Sequence, residues 1–318
     1  MLSFYHAEED RKYQTSNLCL TAGKSEPDSQ YIPLKAAKDM NESIPNDIRQ
    51  GRPLNRDIIK YIAMFTMTLN HLSLTGFIGN YELAKQFTYI GYFTLITMTY
   101  FLVEGFAYTR DRMKYGRRLL LFAVLSEAPF LYALKIAPGE SFSSDQVELN
   151  VIFNLFFCFL ILTALESAQT AGMKILEIAV LFIGSAMSDW SVMAPAFTLI
   201  FYFSAHGWKK PCPHMNGIPY GTARARREKI GYLLCLLFFI ICTSLMSAVY
   251  LLSLRGNGID ILYLFDPESL SGPLLSFLVI CFLYNGKRMR HGKAFSKWFF
   301  YIYYPAHLAV IALILHLR

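Results

Sequence analysis

Long apolar runs, broken only by short charged or turn-rich stretches, fill the chain from Ile58 to its end. Nine stand out, at residues 57–79, 87–108, 118–136, 149–167, 174–188, 191–206, 230–253, 271–286 and 298–317. About 20 apolar residues of α-helix cross the roughly 30 Å hydrocarbon core of a bilayer. The pattern therefore predicts an all-α fold, a polytopic transmembrane helical bundle of about nine spans. The fifth and sixth runs are short and carry Gly184 and Pro195, which predicts a tight hairpin or a re-entrant pair there. Before Ile58 the pattern is absent. Residues 1–55 are rich in Ser, Asp, Glu, Asn and Gln without helical or strand period, and read as a polar, disordered cytoplasmic tail preceding a membrane domain at 56–318.

Composition agrees with the pattern. Over 318 residues, 54% are apolar and 15% aromatic, too many for a soluble domain of this length. The first residues, MLSFYHAEEDRKYQ, are polar and do not make a cleavable signal peptide. The net charge of +7 could suggest nucleic acid, but it is distributed as topology requires. Arg110, Arg112, Lys114, Arg117 and Arg118 follow span two, and Lys209, Lys210, Arg224, Arg226, Arg227 and Lys229 follow span six. A third group, Lys287, Arg288, Arg290, Lys293 and Lys297, follows span eight. These loops share a side with Arg52, Arg56 and Lys60, whereas the opposite loops hold little beyond Lys85 and Arg255. By the positive-inside rule the N-terminus is cytoplasmic and the C-terminus outside. No nucleic-acid partner is implied; the lipid bilayer is the partner. The six cysteines follow no ligand or framework spacing, and four lie in apolar runs. Cys212, with His206 and His214 nearby, lacks a fourth ligand, so no metal is expected.

Candidate chemistry lies in the ionisable groups inside apolar runs, which are costly there and usually functional. Lys60 and His71 are eleven residues apart, about 16 Å of rise and three turns plus roughly 20°. They share one helix face, Lys60 near the surface and His71 deep. Glu104 lies about one turn from the end of span two. Glu127, in LSEAPF, and His307, in YYPAHL, each sit deep beside a proline. Two histidines and two carboxylates so placed can run acyl transfer. A neutral imidazole accepts the proton of an attacking amine or hydroxyl, a carboxylate can orient the ring, and a cation or second histidine can offset the developing negative charge. Each residue also has a structural reading. Glu104 could be an ion-pair partner of Arg110 or Arg112, Glu127 and His307 a mutual pair, and Asn150 and Asn154 interhelical bonds. Asp189 is a helix cap or a substrate contact.

The segments KYIAMFTMTLNHL, IGYFTLITMTYFLVEGFAYTR, RRLLLFAVLSEAPF, FLYNGKR and FFYIYYPAHL resemble the TraX family. These are integral membrane acetyltransferases linked to N-terminal acetylation of conjugative pilin, related to the family-3 membrane acyltransferases. The resemblance runs from about residue 56 to the end. The wider superfamily places Arg or Lys, ten residues, then His on its first helix, as Lys60 and His71 stand here. The resemblance implies acetyl-CoA from the cytosol as donor substrate, with His71 as base and Lys60, Glu104, Glu127 and His307 completing the site. Arg110, Arg117 and Arg118 become candidates for its phosphates, and Asn150 and Asp189 for acceptor contacts. The implied acceptor is a membrane-inserted pilin-like peptide or a surface glycan. Departures fall toward the acceptor side: Asn70 for Asp, Tyr92 for Arg, Ile96 for Pro, and Asp189-Trp190-Ser191 for Asp-Tyr-Gly. A proton-coupled transporter and a non-catalytic fibre-assembly factor are the alternatives.

Overall fold

The computed structural model describes residues 49, 51–136, 148–206, 222–253 and 266–317. The tail before residue 49, most of the acidic stretch PGESFSSDQVE, the Cys212–His214 segment, the side chain of His206 and Arg255 lie outside the described residues. Among the described residues every extended element is helical. In chain order they are α1 (Arg56–Leu74), α2 (Tyr81–Tyr108), α3 (Arg112–Leu134), α4 (Val151–Glu166), α5 (Ala171–Ser185), α6 (Met193–His206), α7 (Thr222–Ser253), α8 (Ser271–Leu278) and α9 (Lys293–Leu317). A 3₁₀ turn, Pro267–Leu270, leads into α8, and a π turn, Val279–Leu283, follows it. Three stretches are long and apolar enough to cross a membrane: Tyr81–Tyr108, Arg224–Val249 and Ala294–Leu317. Val151–Glu166, Met193–Ala205 and Pro267–Leu283 are apolar but shorter.

Helix boundaries follow capping chemistry more closely than apolarity. Asn55, Asn80 and Asp111 accept hydrogen bonds from the backbone N–H of Ile58, Leu83 and Lys114 at 3.0, 3.0 and 2.9 Å. The Lys114 N–H holds the Asp111 carboxyl below the usual carboxylate range. These caps start α2 at Tyr81 and α3 at Arg112, six residues before the apolar runs expected at 87 and 118. On α7 the pair Arg224–Glu228, 3.0 Å apart, supports polar first turns ahead of the expected start at 230. At the other end of α1 the helix stops at Leu74, short of 79, because Gly76 takes a left-handed conformation with φ of 71°.

Packing centres on α2, which touches α1, α4, α6 and α8. Two-thirds of its apolar window is buried (67%), against 22% for each of α7 and α9. The α1–α2 contact is close and polar. A Cβ on Gly91 would meet Asn70 at 2.3 Å, and Thr66–Thr94, Ser73–Thr88 and Asn70–Thr88 carbonyl bonds run along the seam at 3.1, 2.7 and 2.9 Å. The short α5 and α6 do not pair tightly with each other; both pack on α4. Pro195 is accommodated in the first turn of α6, where its missing N–H has no intrahelical acceptor to lose.

The end of the expected tail is part of the folded body. Leu54 pairs with the segment after α8 through Leu54 N–H to Leu283 carbonyl (3.1 Å) and Asn285 N–H to Leu54 carbonyl (2.8 Å). Arg49 is buried beside Gly286, whose lack of a Cβ leaves room for the guanidinium: a Cβ there would meet Arg49 Cζ at 2.4 Å. The fold boundary therefore precedes residue 55, since these few polar residues carry the bonds that join α1 to α8.

Candidate functional site

A cavity of about 1220 Å³ runs beside α1, lined from Arg56 in its first turn to Leu74 at its last residue. Eighteen residues of helix rise about 27 Å, close to a bilayer's hydrocarbon thickness. One end is basic: Arg56, Lys60, Arg118, Arg288 and Lys297 line it. Arg56 and Arg118 each bury an Nε donor that meets no acceptor among the described residues. The middle is apolar and rich in thioethers, with Met64, Met67, Leu95, Met98 and Leu102. The far end carries Asp189, Trp190, Ser191 and Lys135.

His71 lines this cavity and is buried. It sits in the last turn of α1, toward the far end, because the helix stops sooner than the apolar pattern suggests. Its Nδ1 lies 2.8 Å from Nε2 of His307, and the two rings are nearly parallel, 4° apart. His307 Nδ1 lies 2.9 Å from the carbonyl oxygen of Tyr303. A carbonyl only accepts, so Nδ1 of His307 donates and its Nε2 accepts from His71 Nδ1. The remaining nitrogen of His71, Nε2, keeps its lone pair. A base oriented by a second group is the arrangement that proton transfer needs.

The other sequence candidates separate into two groups. Lys60 shares the cavity with His71, as the spacing implied, with its ammonium 5.7 and 5.2 Å from the ring centres of Phe101 and Phe300. Of the three expected phosphate-binding arginines, Arg118 lines the cavity; Arg110 and Arg117 are exposed and do not. Asp189 also reaches it, at the far end. Glu104 is buried but off the cavity. It binds Arg56 and accepts from the Tyr284 hydroxyl at 2.8 Å, so it positions the arginine that does line the wall. Its partner is neither Arg110 nor Arg112; the latter pairs with Glu166 at 2.5 Å.

Glu127 and Asn150 form their own pair, 2.6 Å apart, off the cavity. Asn150 is wholly buried and caps α4 by accepting from Ile152 N–H at 2.9 Å. It also donates to the Ala123 carbonyl at 2.8 Å, so both its amide hydrogens are engaged within the protein. The expected Glu127–His307 pair is not formed. Asn154 donates to the carbonyls of Asp189 and Ser191 at 2.7 and 2.9 Å. It thereby holds a turn in which Trp190 and Ser191 take φ of 65° and 39°. Such backbone costs roughly 1–3 kcal/mol per residue and persists where surroundings enforce it. Arg56, Arg288, Lys297, Tyr304 and Trp190 line the cavity although apolar periodicity gives no sign of them. Arg56 and Tyr304 could have been suspected from their spacing to Lys60 and His307.

Residues 55–216 match the family described as TraX protein. The chain belongs to the TraX family. The TraX match takes in α1 to α6, and with them Lys60, His71, Arg118 and Asp189 of this cavity. The chain is also 28% identical, over 258 residues, to a probable fimbrial assembly protein FimC, serogroup H1, of Dichelobacter nodosus. That likeness covers 80% of this chain and 92% of the relative, more of the chain than the TraX match takes in. No solved structure matches the chain.

Proposed function

We propose that this TraX protein is an integral membrane acetyltransferase, taking an acetyl group from cytosolic acetyl-CoA and passing it to an acceptor presented in or across the bilayer. The nine helices among the described residues form its membrane domain, with the basic end of the cavity cytoplasmic. Arg118, joined by Arg56, Arg288 and Lys297, holds the donor's phosphates. Arginines with unused donors suit that role. Lys60 lies deeper, about 16 Å from His71 along the helix, and the thin pantetheine arm extends past it through the apolar middle.

At His71 the acceptor's nitrogen or oxygen attacks the thioester carbonyl carbon while Nε2 takes its proton. The C=O electrons move onto oxygen, return as the C–S bond breaks, and the thiolate leaves to be protonated by the imidazolium. His307 receives the Nδ1 hydrogen bond throughout and so fixes which nitrogen is the base. The acceptor is a pilin-like peptide N-terminus or another membrane-presented group such as a glycan hydroxyl; the fimbrial name of the relative favours surface fibres. The observation that carries the reading is one cavity joining five cations to an imidazole whose Nε2 meets no hydrogen-bond partner among the described residues.

The test is transfer of labelled acetyl from acetyl-CoA by the purified protein in lipid nanodiscs, with membranes from cells lacking it as acceptor. Wild-type transfer lost in His71→Ala is expected. Equal transfer by that variant removes the mechanism. Because the cavity is lined from end to end, a proton-coupled transporter is the second reading. It predicts solute uptake by proteoliposomes without acetyl-CoA.

A further inference from the structure

Tyr304 belongs to the same helical turn as His307 and is not used in the steps above. Its side chain is buried, 3% exposed, and lines the cavity. The ring stands edge-on to His71, with centroids 6.2 Å apart and planes at 71°, and edge-on to His307 at 5.6 Å. The hydroxyl oxygen lies beside the backbone N–H of Val151, the first residue of α4. An N–H only donates, so the hydroxyl hydrogen is left without an acceptor among the described residues. A buried donor without an acceptor is unfavourable and calls for an explanation.

We infer that Tyr304 is the oxyanion donor of the proposed acyl transfer, giving its hydroxyl hydrogen to the thioester carbonyl oxygen as that oxygen becomes negative. This rests on the acetyltransferase reading and adds a group that touches the reacting atoms. His71 Nε2 and the Tyr304 hydroxyl serve one tetrahedral centre. The nitrogen takes the proton of the incoming nucleophile, and the hydroxyl stabilises the charge displaced onto oxygen. When the C–S bond breaks the carbonyl re-forms, and the hydroxyl hydrogen is once more without a charged acceptor. The donor is thus strongest for the transition state, which is what raises turnover.

The variant is Tyr304→Phe, which keeps the ring and deletes one oxygen. Tyr232→Phe is the control: it deletes a hydroxyl from another fully buried tyrosine that does not line the cavity. Both are measured in nanodiscs with labelled acetyl-CoA, using membranes from cells lacking the protein as acceptor. In Tyr304→Phe, kcat is expected to fall by about 10²–10³-fold with KM for acetyl-CoA unchanged. Its melting temperature should change little, since the hydroxyl's unmet hydrogen and its contact with Val151 N–H are lost together. Tyr232→Phe should retain wild-type kcat. Wild-type kcat in Tyr304→Phe, an equal loss in Tyr232→Phe, or a loss that follows a lowered melting temperature overturns the inference alone. Absence of transfer by the wild type removes the acetyltransferase reading, and this inference with it.

Discussion

The α1–α2 seam and the α5–α7 surfaces are built from similar proportions of apolar residues and use them in opposite ways. Along α1 and α2, hydroxyls, amides and a glycine bring two backbones together, and His71 finds its partner on α9. Along α5, Ser185 alone is buried, and Ile175, Val180 and Ile183 face outward at 69, 58 and 72% exposure. On α7, Leu233, Leu237 and Ile241 do the same. The difference teaches where to look in such a chain. Apolar residues mark the lipid-facing surface, while polar residues within apolar runs mark both the close helix contacts and the site.

The largest test of that contrast is His71→Ala, expected to lower acetyl transfer by about 10²–10⁴-fold, as for loss of a general base. Initial rates in nanodiscs check it. His307→Ala removes the group that fixes the tautomer and should cost roughly 10²-fold, with the pH–rate profile of the residual activity shifted. On the seam, Gly91→Leu drives a side chain into Asn70 and should cost about 1–3 kcal/mol in thermal unfolding. Ser191→Gly gives the strained turn a residue that accepts its backbone freely, and should gain about 1 kcal/mol. At the outer surface, Ile183→Leu should shift stability by no more than about 0.5 kcal/mol. A large loss there would mean that α5 has a protein partner rather than lipid.

Element existence was legible in the sequence, because each apolar run became a helix; element limits were less so. Asn80 and Asp111 start helices ahead of the greasy stretches, and Gly76 ends one before its apolar run is over. A hydropathy reading weighs transfer energies and does not register a single capping bond. Within the site, the Lys60–His71 spacing carried over intact because helix geometry alone determines it. Glu127 and Asn150 misled because depth along a helix was used without rotation about it. Their side chains meet each other across α3 and α4 instead of facing the cavity. His307 was found for its depth, yet its role as partner of His71 depended on how α9 lies against α1, which only packing decides. The acceptor-side departure at Asp189-Trp190-Ser191 gains a physical meaning. Ser191 adopts backbone that glycine would take without cost, and Asn154 supplies the two bonds that enforce it.

A void that runs the length of α1 raises, for a protein set across a bilayer as proposed, the question of insulation. Met64, Met67 and Met98, with Leu95 and Leu102, surround its central portion. A passage walled by thioethers and alkyl groups tends to dewet, and a dry gap excludes ions and protons even where its radius would admit them. The same flexible methionines can yield to a slender organic arm and close behind it. On the acetyltransferase reading, the cell's electrochemical gradient is therefore protected by a greasy plug that the donor itself displaces, and the leak it prevents is open to direct electrical recording.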